Sequence, residues 1–183
     1  MECISLTLSG LKLIYPKIFP DERGFFLESF QAERYAKEGV EGPFVQDNHS
    51  YSNRGSLRGM HFQSSPGQGK LIRVATGTIF DVAVDLRPQS PTFGKWEGVI
   101  LDSQDRAQLW IPSGFAHGFC VLSQEAHVLY KVTSPYSPAT EKGFRWDDPQ
   151  IGIDWPISQP IVSERDQKAP LFSQIFPNTR GIA

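Results

Sequence analysis

The chain has 183 residues, 39% of them hydrophobic and 21% charged, with a formal net charge of -2. That length supports one well-buried core and is short for two. A near-neutral balance without long runs of one sign excludes a general nucleic-acid or membrane-surface binder, which needs a basic excess.

Read in chain order, the N-terminus shows no basic region leading into a long apolar stretch, so no signal peptide is expected. No apolar segment reaches bilayer-spanning length, and cytoplasm is the expected compartment. Cys3 and Cys120 are the only cysteines and cannot form a disulfide framework. Cys120 sits in the apolar run Phe119-Cys120-Val121-Leu122 and reads as a small core residue, with a Cys3–Cys120 bridge left open. Asp21-Glu22-Arg23-Gly24-Phe25-Phe26-Leu27-Glu28 sets an arginine and carboxylates beside a glycine turn. Phe30 to Glu38 reads as the one clear helix, capped by Ser29, ended by Gly39, with Phe30 and Tyr35 turned toward the body. Phe44-Val45-Gln46-Asp47-Asn48-His49-Ser50 carries amides in apolar surroundings.

Arg58-Gly59-Met60-His61-Phe62-Gln63, the turn Ser64-Ser65-Pro66-Gly67 and Lys70-Leu71-Ile72-Arg73-Val74 together read as a β-hairpin. With position 63 opposite position 70, His61, Gln63, Lys70 and Ile72 share one side of the sheet. A histidine and a lysine on one inner face suit a base and an electrostatic partner. An exposed hairpin with ordinary polar residues is the competing reading. In Phe80-Asp81-Val82-Ala83-Val84-Asp85-Leu86 one face is apolar and the other carries Asp81, Ala83 and Asp85, as in a strand with a polar side. Gly98-Val99-Ile100-Leu101, Gln108-Leu109-Trp110-Ile111 and His127-Val128-Leu129-Tyr130-Lys131-Val132 also read as strands. A Pro/Gly turn in Ile111-Pro112-Ser113-Gly114-Phe115-Ala116-His117-Gly118-Phe119 delivers His117 into an otherwise apolar strand, as a site residue or as a core histidine held by a backbone carbonyl. Beyond Trp155 the sequence is Pro-rich and weakly periodic, a tail wrapped over the body, and Ser163-Glu164-Arg165-Asp166 places an acid beside a cation. The three polar segments at 21–28, 44–50 and 163–166 read equally well as solvated loops.

Fourteen prolines and sixteen glycines, spread throughout, cut the chain into many short strands, the pattern of a sandwich or barrel rather than alternating β and α units. No internal repeat or low-complexity stretch interrupts it, so 1–183 reads as a single domain. Cys-x-x-Cys, phosphate-binding glycine loops and dinucleotide fingerprints are all missing. Any chemistry therefore falls to side chains.

The motifs Asp21-Glu22-Arg23-Gly24-Phe25-Phe26, Gln46-Asp47-Asn48-His49-Ser50, Leu57-Arg58-Gly59-Met60-His61-Phe62-Gln63 and Lys70-Leu71-Ile72-Arg73-Val74 occur in this order. They continue with Phe80 to Arg87, Pro112 to Phe119, Tyr130-Lys131 and Trp155-Pro156. Jointly, over nearly the whole chain, they resemble the dTDP-4-dehydrorhamnose 3,5-epimerase family of the cupin superfamily. The resemblance implies an all-β fold, a cupin-type jelly-roll β-barrel with one or a few short peripheral helices, assembled as a homodimer in which terminal strands join the partner's sheet. It implies conversion of dTDP-4-dehydro-6-deoxy-D-glucose, a dTDP-linked 4-keto-6-deoxysugar, to dTDP-4-dehydro-L-rhamnose. The C4 ketone of that substrate acidifies the protons at C3 and C5. No cofactor and no metal are expected, nor a nucleic-acid or membrane partner.

By this resemblance His61 matches the proton-abstracting base, Asp166 the carboxylate that orients it, Tyr130 the acid on the opposite face, and Lys70 the cation beside the C4 oxygen. Arg23, Glu28, Gln46 and Asn48 fall at substrate-contact positions, as do Arg58, His117, Glu141 and Arg165. Tyr136 matches the aromatic that stacks on thymine. The chain departs from the family pattern at Arg165, where a lysine is common, and at Tyr136, which replaces the more usual phenylalanine. Cupin metal centres use a His-x-His pair, a following Glu and a distant His. Here the matching place reads His61-Phe62-Gln63, which leaves His61 and His117 too few for a transition metal. The competing functions are a single-site C3 or C5 epimerase, a non-catalytic sugar-binding cupin and a metal-dependent cupin.

Overall fold

Short runs of alternating apolar and polar residues, each ended by Gly, Pro or Ser/Asn turns, leave strands as the main way to pair the backbone. In the computed structural model, which describes residues 1–177, they are β1 (Glu2–Ser5), β2 (Lys12–Tyr15), β3 (Ile18–Asp21), β4 (Gly24–Leu27), β5 (Gln46–Asn53), β6 (Ser56–Gln63) and β7 (Lys70–Thr76). They continue as β8 (Thr78–Asp85), β9 (Trp96–Asp102), β10 (Gln108–Ile111), β11 (Phe115–Val121), β12 (Glu125–Val132), β13 (Glu141–Gly143) and β14 (Ile161–Val162). The helices are short: α1 (Ala32–Lys37), α2 (Glu164–Gln167) and α3 (Phe172–Ile175). One sheet runs β1-β2-β10-β7-β12-β5; the other runs β13-β6-β11-β8-β9, with β14 alongside β6. The strands β3 and β4 form a separate hairpin. This is the expected all-β jelly-roll barrel.

Between the sheets lies a core of Ile72, Val74, Leu109, Ile111 and Val128 against Ile79, Leu101, Phe115, Phe119 and Val121. Both outer faces are partly covered as well. Tyr35 of α1 packs with Leu71 and Trp110 on one, and Phe144 and Phe172 pack with Met60, Val82 and Val84 on the other. The polar side expected for β8 is therefore not solvated. Asp81, Ala83 and Asp85 are all 0% exposed, because this face turns into the barrel, where Ala83 joins the core and the carboxylates have partners, while the apolar face is roofed from outside by Phe144 and Phe172. Asp85 accepts from Arg87, Ser90 and Thr92. Burial alone would push it up, but these bonds overcome that and hold it at about 2.

The expected β6–β7 hairpin does not form. Both edges of β6 are taken, by β11 on one side and by β13 and β14 on the other, so the chain crosses to the facing sheet. There Lys70 pairs with Ile111 and Val132. Gln63 lies opposite Glu141, not Lys70. Gly69 makes the crossing possible, since a Cβ there would stand 2.6 Å from the Trp110 ring. The helix start also differs. Gln31, not Ser29, caps α1 by accepting from the Arg34 N–H at 2.6 Å, while the Ser29 carbonyl accepts from Tyr35 and Gln108. Tyr35 is buried as expected, and Gly39 (φ +74) follows the helix end. Cys3 and Cys120 are both free thiols.

The tail wraps as the sequence indicated. Asp148 accepts from the Phe172 N–H at 2.7 Å and from Gln150 and Ile151, which ties the start of α3 to the 148–151 turn. Among the described residues no helix is long and apolar enough to cross a membrane.

Candidate active site

Period-two alternation would send Arg58 and His61 to opposite faces of β6. A β-bulge prevents this: His117 pairs with His61 and Phe119 with Arg58, so Gly59 and Met60 face only Gly118. Gly59 has φ +135, and a Cβ there would lie 2.6 Å from the Gly118 Cα, so only glycine fits. The bulge turns both side chains into one cavity of about 420 Å³ inside the barrel mouth. Lys70 of β7 and Tyr130 of β12 enter it from the facing sheet, His117 from β11, and Arg165 and Asp166 from α2. His61 and Lys70 thus meet across the barrel rather than along a hairpin.

His61 Nε2 lies 2.7 Å from Asp166 Oδ1, and the Gly59 N–H donates to Asp166 Oδ2 at 3.4 Å. The carboxylate is set by a local motif: Ser163 caps α2 and accepts from the Asp166 N–H at 3.1 Å. Burial raises the Asp166 carboxyl, but His61, Gly59 and Ser163 outweigh it and leave it below the usual range. A second pair stands beside the first. His117 Nε2 is 2.9 and 3.1 Å from the oxygens of buried Asp81. The partner is a carboxylate and not the backbone carbonyl of the alternative reading. Burial pushes His117 down, opposed by Asp81 and assisted by Lys70 and His61.

Burial also depresses Lys70, to about 8, with Asp81 and Glu141 acting against it. Tyr130 is raised, chiefly by burial, with Arg58 opposing and Glu141 adding. A half-buried lysine that loses its proton at about 8 and a phenol kept protonated across from an imidazole can stabilise an oxyanion and return a proton.

Gln46, Asn48, Tyr136 and Glu141 do not line this cavity; Gln46 donates to Asn48 Oδ1 at 2.8 Å and accepts from the Tyr136 N–H at 3.0 Å. Tyr136 and Arg165 both bond to Glu141. Arg23 and Glu28 are not brought to the cavity of the same chain. Arg23 is exposed and paired with Asp21 at 2.6 Å, and Glu28 pairs with Arg34 at 3.3 Å. Ser50, Ser56, Leu57, Phe119, Ile161 and Ser163 also line the cavity, beyond the residues that the sequence singles out. Ser50 was findable, since it shares the inward face of β5 with Asn48, and Ser163-x-x-Asp166 is a helix-cap pattern. Among the described residues no group of three or more His, Cys, Asp and Glu is placed to hold a metal. Gln63, at the second position of a His-x-His pair, instead donates to Ser134 and accepts from the Ser137 N–H.

Residues 5–174 match the family described as dTDP-4-dehydrorhamnose 3,5-epimerase. The chain belongs to the dTDP-4-dehydrorhamnose 3,5-epimerase family. A member from Shigella flexneri is 51% identical over 91% of this chain and 93% of its own length. Another, from Neisseria gonorrhoeae, is 50% identical over 95% of this chain, which spans 53% of that relative. The crystal structure of the dTDP-6-deoxy-D-glucose-3,5-epimerase of Legionella pneumophila Philadelphia 1, in complex with dTDP-4-keto-L-rhamnose, has 52% identity and a TM-score of 0.90. It is matched over 93% of this chain and 92% of that one.

Proposed function

We infer that the chain is a carbohydrate epimerase that converts dTDP-4-dehydro-6-deoxy-D-glucose to dTDP-4-dehydro-L-rhamnose, inverting C3 and C5. The observation that carries this is His61, backed by Asp166 at 2.7 Å, lining one cavity with Lys70 and Tyr130. His61 takes the proton alpha to the C4 ketone and becomes an imidazolium stabilised by Asp166. The electron pair moves onto the C4 oxygen, where the Lys70 ammonium meets the developing charge. Tyr130 gives a proton to the same carbon from the opposite face, leaving it inverted. His61 then releases its proton to solvent and Tyr130 regains one, so the cycle is balanced without redox chemistry. Turning the sugar presents the second carbon to the same groups.

Arg58 and Arg165 suit the diphosphate, since planar guanidinium groups pair with two oxygens at once. Gln46, Asn48, His117 and Glu141 serve as further substrate contacts and Tyr136 as the stacking partner of the thymine. We assign Arg23 and Glu28 to the site of a second copy. They lie off their own cavity, next to exposed Phe19, Phe25 and Phe26 on the β3–β4 hairpin, which is what a homodimer reaching across an interface requires. The continuous packing of the tail on the body supports one domain; the last residues of the 1–183 assignment, 178–183, lie outside the described residues. A cytoplasmic location belongs to the same reading.

The test is turnover by the purified chain, followed by proton NMR, with His61→Ala alongside. Loss of turnover in the variant, with dTDP binding retained, is expected. An unimpaired variant overturns the assignment of the base.

A further inference from the structure

Two groups from separate segments, one of them the cavity-lining Arg165, meet on a single oxygen. Tyr136 Oη donates to Glu141 Oε2 at 3.0 Å, and Arg165 Nη2 donates to the same atom at 2.6 Å. Tyr136 sits in the connection between β12 and β13, Glu141 opens β13, and Arg165 lies on α2. Glu141 is anchored by its strand opposite Gln63, and its side chain is 14% exposed against 56% for that of Arg165. The backbone of Tyr136 is fixed too, its N–H donating to Gln46 Oε1. The ring is half exposed.

A half-exposed ring on a loop normally has rotamer freedom to lose when a flat ligand stacks on it. Here the hydroxyl is tied down beforehand. We propose that Tyr136, Glu141 and Arg165 form one preset bridge that orients the Tyr136 ring for the nucleobase, with Glu141 as the positioning residue and Arg165 neutralising it. This rests on the reading that the cavity takes a dTDP-sugar. Phenylalanine at 136 would have no hydroxyl to join such a bridge.

The bridge acts on binding and not on proton transfer. Asp166 follows Arg165 in the chain, yet it is held separately, its N–H by Ser163 at 3.1 Å and its carboxylate by His61 at 2.7 Å. Loosening the bridge therefore leaves the base in place.

Tyr136→Phe, Arg165→Lys and the double variant distinguish this from independent contacts. Calorimetry with dTDP gives Kd, and steady-state kinetics with the ketosugar nucleotide give KM and kcat. Each single change is expected to raise Kd and KM roughly three- to tenfold, as for a partly exposed bond to a charged group, with kcat within about twofold. The double variant should fall well short of the product of the singles, because both act through Glu141. Multiplicative losses, or a Tyr136→Phe effect on Kd below about twofold, overturn the proposal. A wild-type chain that binds dTDP but does not epimerise would refute the functional reading while the cycle still judges the bridge. Absence of dTDP binding would end both.

Discussion

Replacing Asp166 by Asn keeps the shape of the side chain and removes its charge. The contact to His61 is 2.7 Å, the length of a charge-assisted bond, with Asp166 6% and His61 28% exposed, so solvent screens it only in part. Such a bond contributes about 1.5–3 kcal/mol. The full charge on His61 exists only once the proton has been taken, so the loss falls on the barrier rather than on substrate binding. At about 1.36 kcal/mol per decade, kcat should fall roughly 10- to 150-fold with KM nearly unchanged. Initial rates by NMR measure this, and thermal melting checks that α2 stays docked. The Asp166 carboxyl is held below its ordinary 3.8, so it stabilises the fold above that pH and the contribution is lost as pH falls through the lowered value. Asp166→Asn should accordingly lose less stability than the wild type on acidification. A well-folded variant with kcat within about threefold of wild type refutes the reasoning, since even the weakest charge-assisted bond exceeds that.

Lys70→Met should lower kcat about a hundredfold or more, as removal of a preorganised oxyanion partner does. In the wild type kcat should decline as pH rises through about 8, where Lys70 loses its proton. The accompanying linkage has the opposite sense: between about 8 and 10.5 the unfolded chain holds a proton that the folded one does not, so that site favours folding as pH rises. Melting curves of Lys70→Met should lack that component. Tyr130→Phe should still exchange substrate protons with heavy water while inversion slows, and normal product formation would transfer the acid role elsewhere. Phe172, fully buried against Phe93, Phe144 and Phe176, anchors the tail that carries Asp166. Phe172→Ala should cost about 3–5 kcal/mol, seen as a fall in Tm of roughly 6–20 °C for a chain of this size.

The strands were legible wherever alternation ran uninterrupted: Gln108–Ile111 matches β10 residue for residue, and the others differ by a residue or a few at their ends. What alternation cannot report is which sheet a strand joins. Lys70 seemed a hairpin neighbour of Gln63 because a Pro/Gly turn separates them, and only the occupied edges of β6 send it across the barrel. The polarity of the Asp81 face misled for a related reason. A pattern of residue types records sidedness, and a buried carboxylate with a histidine partner looks the same in sequence as a solvated one. The bulge at Gly59 was hidden as well, since it depends on the close approach of Gly118 from another strand. The meeting of His61 with Asp166, from β6 and α2, came from family resemblance and not from spacing, and in the structure the two are 2.7 Å apart. Arg23 and Glu28 came the same way, and the structure leaves both off the cavity of their own chain, paired with Asp21 and Arg34.

Central to the account is one imidazole that reaches two carbons of the same sugar in turn. The direct measurement is to run the reaction to completion in heavy water and locate the deuterium by NMR. Label at both C3 and C5 of the L-configured product is expected, absent in His61→Ala. Label confined to one carbon would make the chain a single-site epimerase, and none at either would contradict proton abstraction by His61 altogether.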